Sequence, residues 1–148
     1  MRMQISEMTR EDIPSVAAIE RLIFSMPWSE SGFLSSLLSP DTLYLCVRTD
    51  EGQVIGYCGF LQSFDEADIT NVAVHPDYRC RGIAYAMLNE LMKRGRERDV
   101  HRYTLEVRVS NEQAVRLYDR LGFVSVGVRK NFYEKPREDA VIMWTGQG

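Results

Sequence analysis

At 148 residues the chain is long enough for one ordinary domain and short for two. Hydrophobic residues make up 45% and charged residues 26%, a globular balance that permits a sizeable core. A formal net charge of −3 excludes a surface built as a whole to attract nucleic acid, and no apolar run approaches the ~18 residues of a membrane span.

Three cysteines, Cys46, Cys58 and Cys80, stand without CxxC spacing; an odd count with no framework argues against a disulfide scaffold and fits a reducing cytosol. His75 and His101 stand apart from other ligand types, so no metal site is expected. The opening MRMQISEMTREDI lacks the apolar core of a signal peptide. A cytoplasmic protein is therefore expected. The basic cluster KRGRER at 93–98 reads as a solvated helix end that complements the helix dipole.

Met3 and Ile5 alternate with polar neighbours in MQISEM (3–8), the pattern of a short strand. Thr9 is placed to cap REDIPSVAAIERLIF (10–24), with Asp12 three residues on as in a capping box, and Pro14 early enough to be tolerated. The stripe of Ile13, Val16, Ala17, Ile19 or Glu20, and Ile23 predicts a helix. A second, shorter helix starts after Pro27 in PWSESGFLSSLL (27–38), capped by Ser29. TLYLCVRT (42–49) and QVIGYCGFLQSF (53–64) are strands joined by the turn signal DEG, and ADITNVAV (67–74) is a third that stops at His75-Pro76.

From about Arg81 to Arg98 apolar residues recur at 83, 84, 87, 88, 91 and 92, a helical period. RYTLEVRV (102–109) alternates, with Tyr103, Leu105, Val107 and Val109 on one face and Thr104, Glu106 and Arg108 on the other. SNEQAVRLYDRLGF (110–123) predicts a helix with a Ser or Asn cap, a face of Ala114, Leu117, Tyr118 and Leu121, and Gly122 as its stop. FVSVGVRKNFY (123–133) and EDAVIMW (138–144) are closing strands. The order βααβββαβαββ predicts an α/β fold, one mixed sheet with helices on both faces, in a single domain over 1–148.

Three features bear chemistry. In RCRGIA (79–84) two arginines flank a cysteine, and Gly82 stands where a strand hands over to a helix. Helix-start N–H groups are unpaired and lie at the positive end of the dipole, so the loop suits a pyrophosphate; a glycine serving only a tight turn is the plainer reading. Neither a Walker A loop nor GxGxxG is present. Glu106 lies mid-strand in a sheet covered on both faces, where a carboxylate is costly unless paired or used. It is either an ion-pair partner of Arg108 or of a helix residue, or a general base. Tyr118 is either a core tyrosine or a proton donor to a leaving thiolate.

Taken in order, NVAVHPDYRCRGIAYAML, LEVRVSNEQAVRLYDRLGF and NFYEKPREDAVIMW resemble the GNAT superfamily of acetyl-CoA-dependent N-acetyltransferases over residues 1–145. The superfamily's pyrophosphate motif, Q/R-x-x-G-x-G/A, is matched by Arg79, Gly82 and Ala84, and its later Asn-then-Tyr helix by Asn111 and Tyr118. Cys80 departs from the Arg or Gly often found at its position. Within the superfamily the likeness is greatest to the RimI-type ribosomal-protein-alanine N-acetyltransferases, with MPWSESGF resembling that group's Pro-Trp-Ser segment.

The resemblance implies a mostly antiparallel sheet of about seven strands, splayed in the middle, with about four helices. It implies acetyl-CoA held by Val72, Ala73 and Val74, by Arg79, Cys80, Arg81, Gly82, Ile83 and Ala84, and by Asn111 and Tyr118. It implies Glu106 as base and Tyr118 as acid, in direct transfer to an amine. Trp28, Phe132 and Tyr133 would wall an acceptor groove. The acceptor suggested is a protein N-terminus, with a ribosomal protein as candidate and no direct nucleic acid, membrane or metal partner. An α-amine is roughly 10–17% free base at pH 7 and a lysine about 0.04%, which favours an α-amine for a lone carboxylate base. A small-amine or lysine acetyltransferase, and a non-catalytic acyl-CoA-binding module, remain as alternatives.

Overall fold

The computed structural model describes residues 2–146. The expected single domain runs over 1–148, and its residues 1, 147 and 148 lie outside the described ones. Strand β1 (Met3–Glu7) leads through a 3-10 turn (Arg10–Asp12) into α1 (Ile13–Ile23), followed by α2 (Glu30–Leu37). Then come β2 (Thr42–Thr49), β3 (Val54–Ser63), β4 (Glu66–Val74), α3 (Ile83–Arg96), β5 (Arg102–Arg108), α4 (Glu112–Arg120), β6 (Val124–Tyr133) and β7 (Glu138–Gly146). The expected element order is met throughout.

The differences lie at ends. Thr9 N–H donates to Asp12 Oδ2 at 2.7 Å, and this box tightens the first turn, so the α-helix begins at Ile13 rather than 10. Val109, expected on the buried face of β5, lies past the strand's end and is exposed.

The strands form one sheet in the order β1-β2-β3-β4-β5-β7-β6, antiparallel throughout except for β4 beside β5. One face carries a core of α3 residues (Ile83, Met87, Leu88, Leu91), Tyr118 of α4 and strand residues such as Phe60, Leu105 and Met143. The other packs α1 (Ile13, Val16, Ala17) and Phe33 of α2 on Tyr44, Cys46, Tyr57 and Ala73. Helices thus cover both faces, as the period-2 strands between helices require. Gly59 belongs to this second face: a Cβ there would collide with the Tyr44 ring, so the ring lies flat on bare backbone.

A β-bulge in β4 shapes everything that follows. Pairing with β3 slips between Phe60↔Ile69 and Gly59↔Asn71, leaving Thr70 as the extra residue. Before it, Ala67 and Ile69 face the α3 core; after it, Val72 and Val74 face that core while Ala73 faces α1. At the bulge β4 also leaves β5. Their parallel pairing covers only Glu66↔Arg102, Ala67↔Tyr103 and Asp68↔Thr104, whereas β5 stays paired with β7 up to Arg108. The sheet opens there into two halves. No helix among the described residues is long and apolar enough to cross a membrane.

Candidate active site

Where β4 and β5 part, backbone donors face the gap. His75 N–H donates to Ile55 O at 2.8 Å, so it points toward β3. Amides alternate sides along a strand, so Ala73 also turns toward β3 and the amides of Val72 and Val74 face the opened side. The Ala73 side chain is buried against α1, and Ile83 lies in the opposite core, so both can serve a ligand only through backbone.

The loop after β4 brings the next donors. Gly82 is the N-cap of α3, at φ 74°, and Cys80 stands at φ 63°. Those left-handed turns fold the loop tightly, and Gly82 has open space where a Cβ would project. Among the described residues no side chain caps α3; its first internal bond runs from Ala86 N–H to Gly82 O, leaving the N–H groups of Ile83, Ala84 and Tyr85 without helical acceptors. Arg79 Nε donates to Val74 O at 3.4 Å and ties the loop to the end of β4, and Arg81 lies over the Tyr78 ring. Asn111 N-caps α4, its Oδ1 accepting from Ala114 N–H at 3.1 Å.

The gap continues into a cleft of about 670 Å³ that brings together Trp28, Val72, Glu106, Asn111, Tyr118, Phe132 and Tyr133. Arg79, Cys80, Arg81, Gly82, Ile83 and Ala84 do not line it and stand instead at the α3 end of the gap. Glu106 projects from the face of β5 opposite Leu105 and Val107, which are buried in the α3 core. Tyr118 is 7% exposed, its ring in edge contact with Phe123 at an interplanar angle of 62° (centroids 5.9 Å). Burial above all, with Tyr133 and Cys58 adding, pushes its phenol up, so it keeps its proton at neutral pH. Burial, and next the nearby Glu106 carboxylate, push the Tyr133 phenol up as well, which puts Glu106, Tyr118 and Tyr133 in one electrostatic neighbourhood.

The ion-pair expectation for Glu106 needs correction. Its partner is neither Arg108 nor a helix residue but Arg129 of β6, Nη1 to Oε2 3.4 Å. Arg108 is engaged elsewhere: it donates to Glu138 Oε1 (3.1 Å), Pro136 O (2.9 Å) and Glu134 O (3.2 Å), and its guanidinium lies over the Tyr133 ring at 4.4 Å. It thereby pins the β6–β7 connection directly after Phe132 and Tyr133, the two residues that end β6 at the rim. Reading along one strand missed this, because cross-strand partners depend on a register that periodicity alone does not give.

Sequence reasoning also missed Glu20, Phe24 and Met26, which line the cleft from α1 and the segment after it. The signal available was the Ile19-or-Glu20 ambiguity in the α1 stripe, a carboxylate at a position that faces inward. Chemically, the cleft offers backbone donors on one side, a carboxylate and a protonated phenol at its middle, and an aromatic rim on the other.

Comparison with known proteins bears out the resemblance. The model of the acetyltransferase (GNAT) family matches residues 13–123. A Bacillus subtilis (strain 168) protein, provisionally named a ribosomal protein bS18 alanine N-acetyltransferase, is 40% identical over 141 residues, covering 95% of this chain and 93% of that protein. The ribosomal protein bS18 alanine N-acetyltransferase of Escherichia coli (strain K12) is 37% identical over 142 residues, 94% of each chain. The crystal structure of the ribosomal-protein-S18-alanine N-acetyltransferase from Escherichia coli superposes with a TM-score of 0.91 at 34% identity, over 99% of this chain and 95% of that one.

Proposed function

The chain belongs to the acetyltransferase (GNAT) family and is an acetyl-CoA-dependent N-acetyltransferase, and on that premise we propose that it acetylates the N-terminal α-amine of a ribosomal protein. The named activity of the bacterial relatives supports an acceptor beginning with alanine. The observation that carries the reading is the sharing of one cleft by Glu106 and Tyr118, between an open strand edge and an aromatic rim. In this reading residues 1–148 work as one domain, in the cytoplasm where ribosomal proteins are made.

The residues present suit acetyl-CoA. The uncapped start of α3, with Gly82 in the left-handed region and Arg79 and Arg81 beside it, suits the pyrophosphate. The free amides of Val72 and Val74 suit the pantetheine and the thioester carbonyl. Ile83 and Ala84 contribute through their N–H groups, and Ala73 fixes the strand from its buried side. Cys80 shapes the turn, and Asn111 sets the start of the helix that carries Tyr118.

When bound, acetyl-CoA supplies the activated acyl group. The chain's own work is position and proton handling. Glu106 takes the proton from the attacking amine, directly or through a water molecule, and Tyr118 gives a proton to the departing sulfur. Trp28, Phe132 and Tyr133 orient the acceptor's first residues. A groove with an aromatic rim suits an extended peptide better than a small polyamine, whose several charges call for acidic walls.

The test is an acetylation assay read by mass spectrometry. Peptides beginning with Ala, Ser or Met, lysine peptides with blocked N-termini, and small amines are offered to the same enzyme with acetyl-CoA. Modification of the α-amine of the Ala peptide is expected. Preferential modification of lysine side chains or of a polyamine would overturn the acceptor assignment.

A further inference from the structure

Glu20 sits on α1, 4% exposed, and has no cationic side chain within ion-pair distance among the described residues. Helical spacing asks for an apolar residue there, and a buried carboxylate is costly unless its oxygens are satisfied. Both are. Glu20 Oε1 accepts the Tyr57 hydroxyl at 2.5 Å, and Oε2 accepts the backbone N–H of Trp28 at 3.1 Å. The Trp28 ring packs on Phe33 (5.2 Å), and Phe33 stands edge-on to Tyr57 (5.8 Å). The contacts close into a ring: Trp28 backbone to Glu20, Glu20 to Tyr57, Tyr57 to Phe33, and Phe33 back to the Trp28 indole. Trp28 is thus held at both ends, and through it the segment 24–28 that forms one wall of the cleft.

We propose that Glu20 is a positioning residue that locks Trp28 and the 24–28 segment in place to receive the acceptor peptide. The proposal rests on the peptide-acceptor reading above. It assigns Glu20 no contact with the reacting atoms. The carboxylate acts because it can accept two hydrogen bonds at once, a geometric role that an amide can largely fill. In Glu20→Gln the side-chain oxygen still accepts from Trp28 N–H, and the Tyr57 hydroxyl can turn to accept from the new NH₂ group.

The test compares wild type with Glu20→Ala, Glu20→Gln and Tyr57→Phe, using an Ala-initiated peptide and acetyl-CoA. Glu20→Ala is expected to raise the peptide KM about tenfold, with kcat and the acetyl-CoA KM within about threefold of wild type. Glu20→Gln should recover most of the peptide affinity, and Tyr57→Phe should shift it in the same direction as Glu20→Ala by less. Acrylamide quenching of Trp28, in a Trp144→Phe background without substrates, should rise in Glu20→Ala and not in Glu20→Gln. A peptide KM within twofold of wild type in Glu20→Ala overturns the proposal, as does equal impairment in Glu20→Gln, which would make charge the cause. If Glu20→Ala does not fold, a wild-type peptide KM in Tyr57→Phe overturns it. Should wild type ignore N-terminal peptides, the acceptor reading falls, and the quenching comparison alone decides whether Glu20 holds Trp28.

Discussion

Arg129 of β6 reaches across the intervening strand β7 to hold its Nη1 3.4 Å from Glu106 Oε2. The two side chains are 58% and 32% exposed, so the pair is open to water and weak. Arg129 also lies over the Phe132 ring, at 5.2 Å from its centre. The base candidate is therefore loosely held in the lining of the cleft, and the cation that holds it belongs to the strand that carries the aromatic rim.

If Glu106 is the base, Glu106→Gln keeps the shape and removes the proton acceptor. Its kcat/KM should fall by ~10²–10⁴, with acetyl-CoA affinity by calorimetry nearly unchanged. Arg129→Ala should change stability by no more than about 1 kcal/mol, as an exposed pair predicts. A Glu106→Gln enzyme that turns over at the wild-type rate would leave Glu106 as an ion-pair partner only.

The loop at Gly82 gives a second test. A Cβ there meets nothing within 4 Å, so the site resists substitution only through its φ of 74°. Gly82→Val should cost roughly 1–2 kcal/mol in backbone strain, and its branched side chain would project into the space assigned to the pyrophosphate. The folded variant should bind acetyl-CoA more weakly by calorimetry. Unchanged affinity would take the pyrophosphate away from this loop.

Much of this fold is legible in the sequence. Alternation gave the strands, 3.6-residue stripes gave the helices, and Gly82, just after Arg79 and Arg81, marked the loop proposed for the pyrophosphate. What was hidden depends on pairing. The Thr70 bulge reverses which residues of β4 face which core, and nothing in ADITNVAV signals an extra residue. Arg129 and Glu138 meet Glu106 and Arg108 across β7 or from it, so their partners follow from register. Glu20 looked ambiguous because its hydrogen-bond partners, Tyr57 and Trp28, are 37 and 8 residues away.

Stability toward acid should be governed in part by Asp12. Burial alone would raise its carboxyl, but bonds from Arg48 and Thr9 outweigh burial and hold it below the usual carboxylate range. Arg48 grips both oxygens, Nη1 on Oδ1 and Nη2 on Oδ2, the latter at 2.7 Å. A depressed carboxyl contributes stability above its unfolded pKa of about 3.9, and the contribution is lost as pH falls through the lower folded value. Asp12→Asn should therefore destabilise clearly at pH 6 and much less near pH 3. Urea denaturation at the two pH values checks this, and an equal loss at both would show that the ionised form is not what matters.

Tyr118 separates the core reading from the catalytic one. Its ring packs on Phe123 within the α3 face of the sheet, while its residue also lines the cleft that holds Glu106. Tyr118→Phe keeps the ring and nearly all of that packing, so a core role predicts a small change in stability and normal turnover. A catalytic role predicts that fold and acetyl-CoA binding persist while kcat drops. The size of the drop follows from two acidities. Coenzyme A thiol resembles a cysteine, with a pKa of about 8.5, and leaves tolerably well without help. The Tyr118 phenol, pushed up by burial, is a weaker acid than a free tyrosine, so its proton moves to sulfur only as negative charge builds there. Both arguments point to the lower end of acid–base effects, about 10²-fold in kcat. The measurement is kcat for wild type and Tyr118→Phe on one Ala-initiated peptide at saturating acetyl-CoA, with thermal unfolding of both. Rates that agree within twofold would make Tyr118 a core residue and send the search for the acid to its neighbour Tyr133.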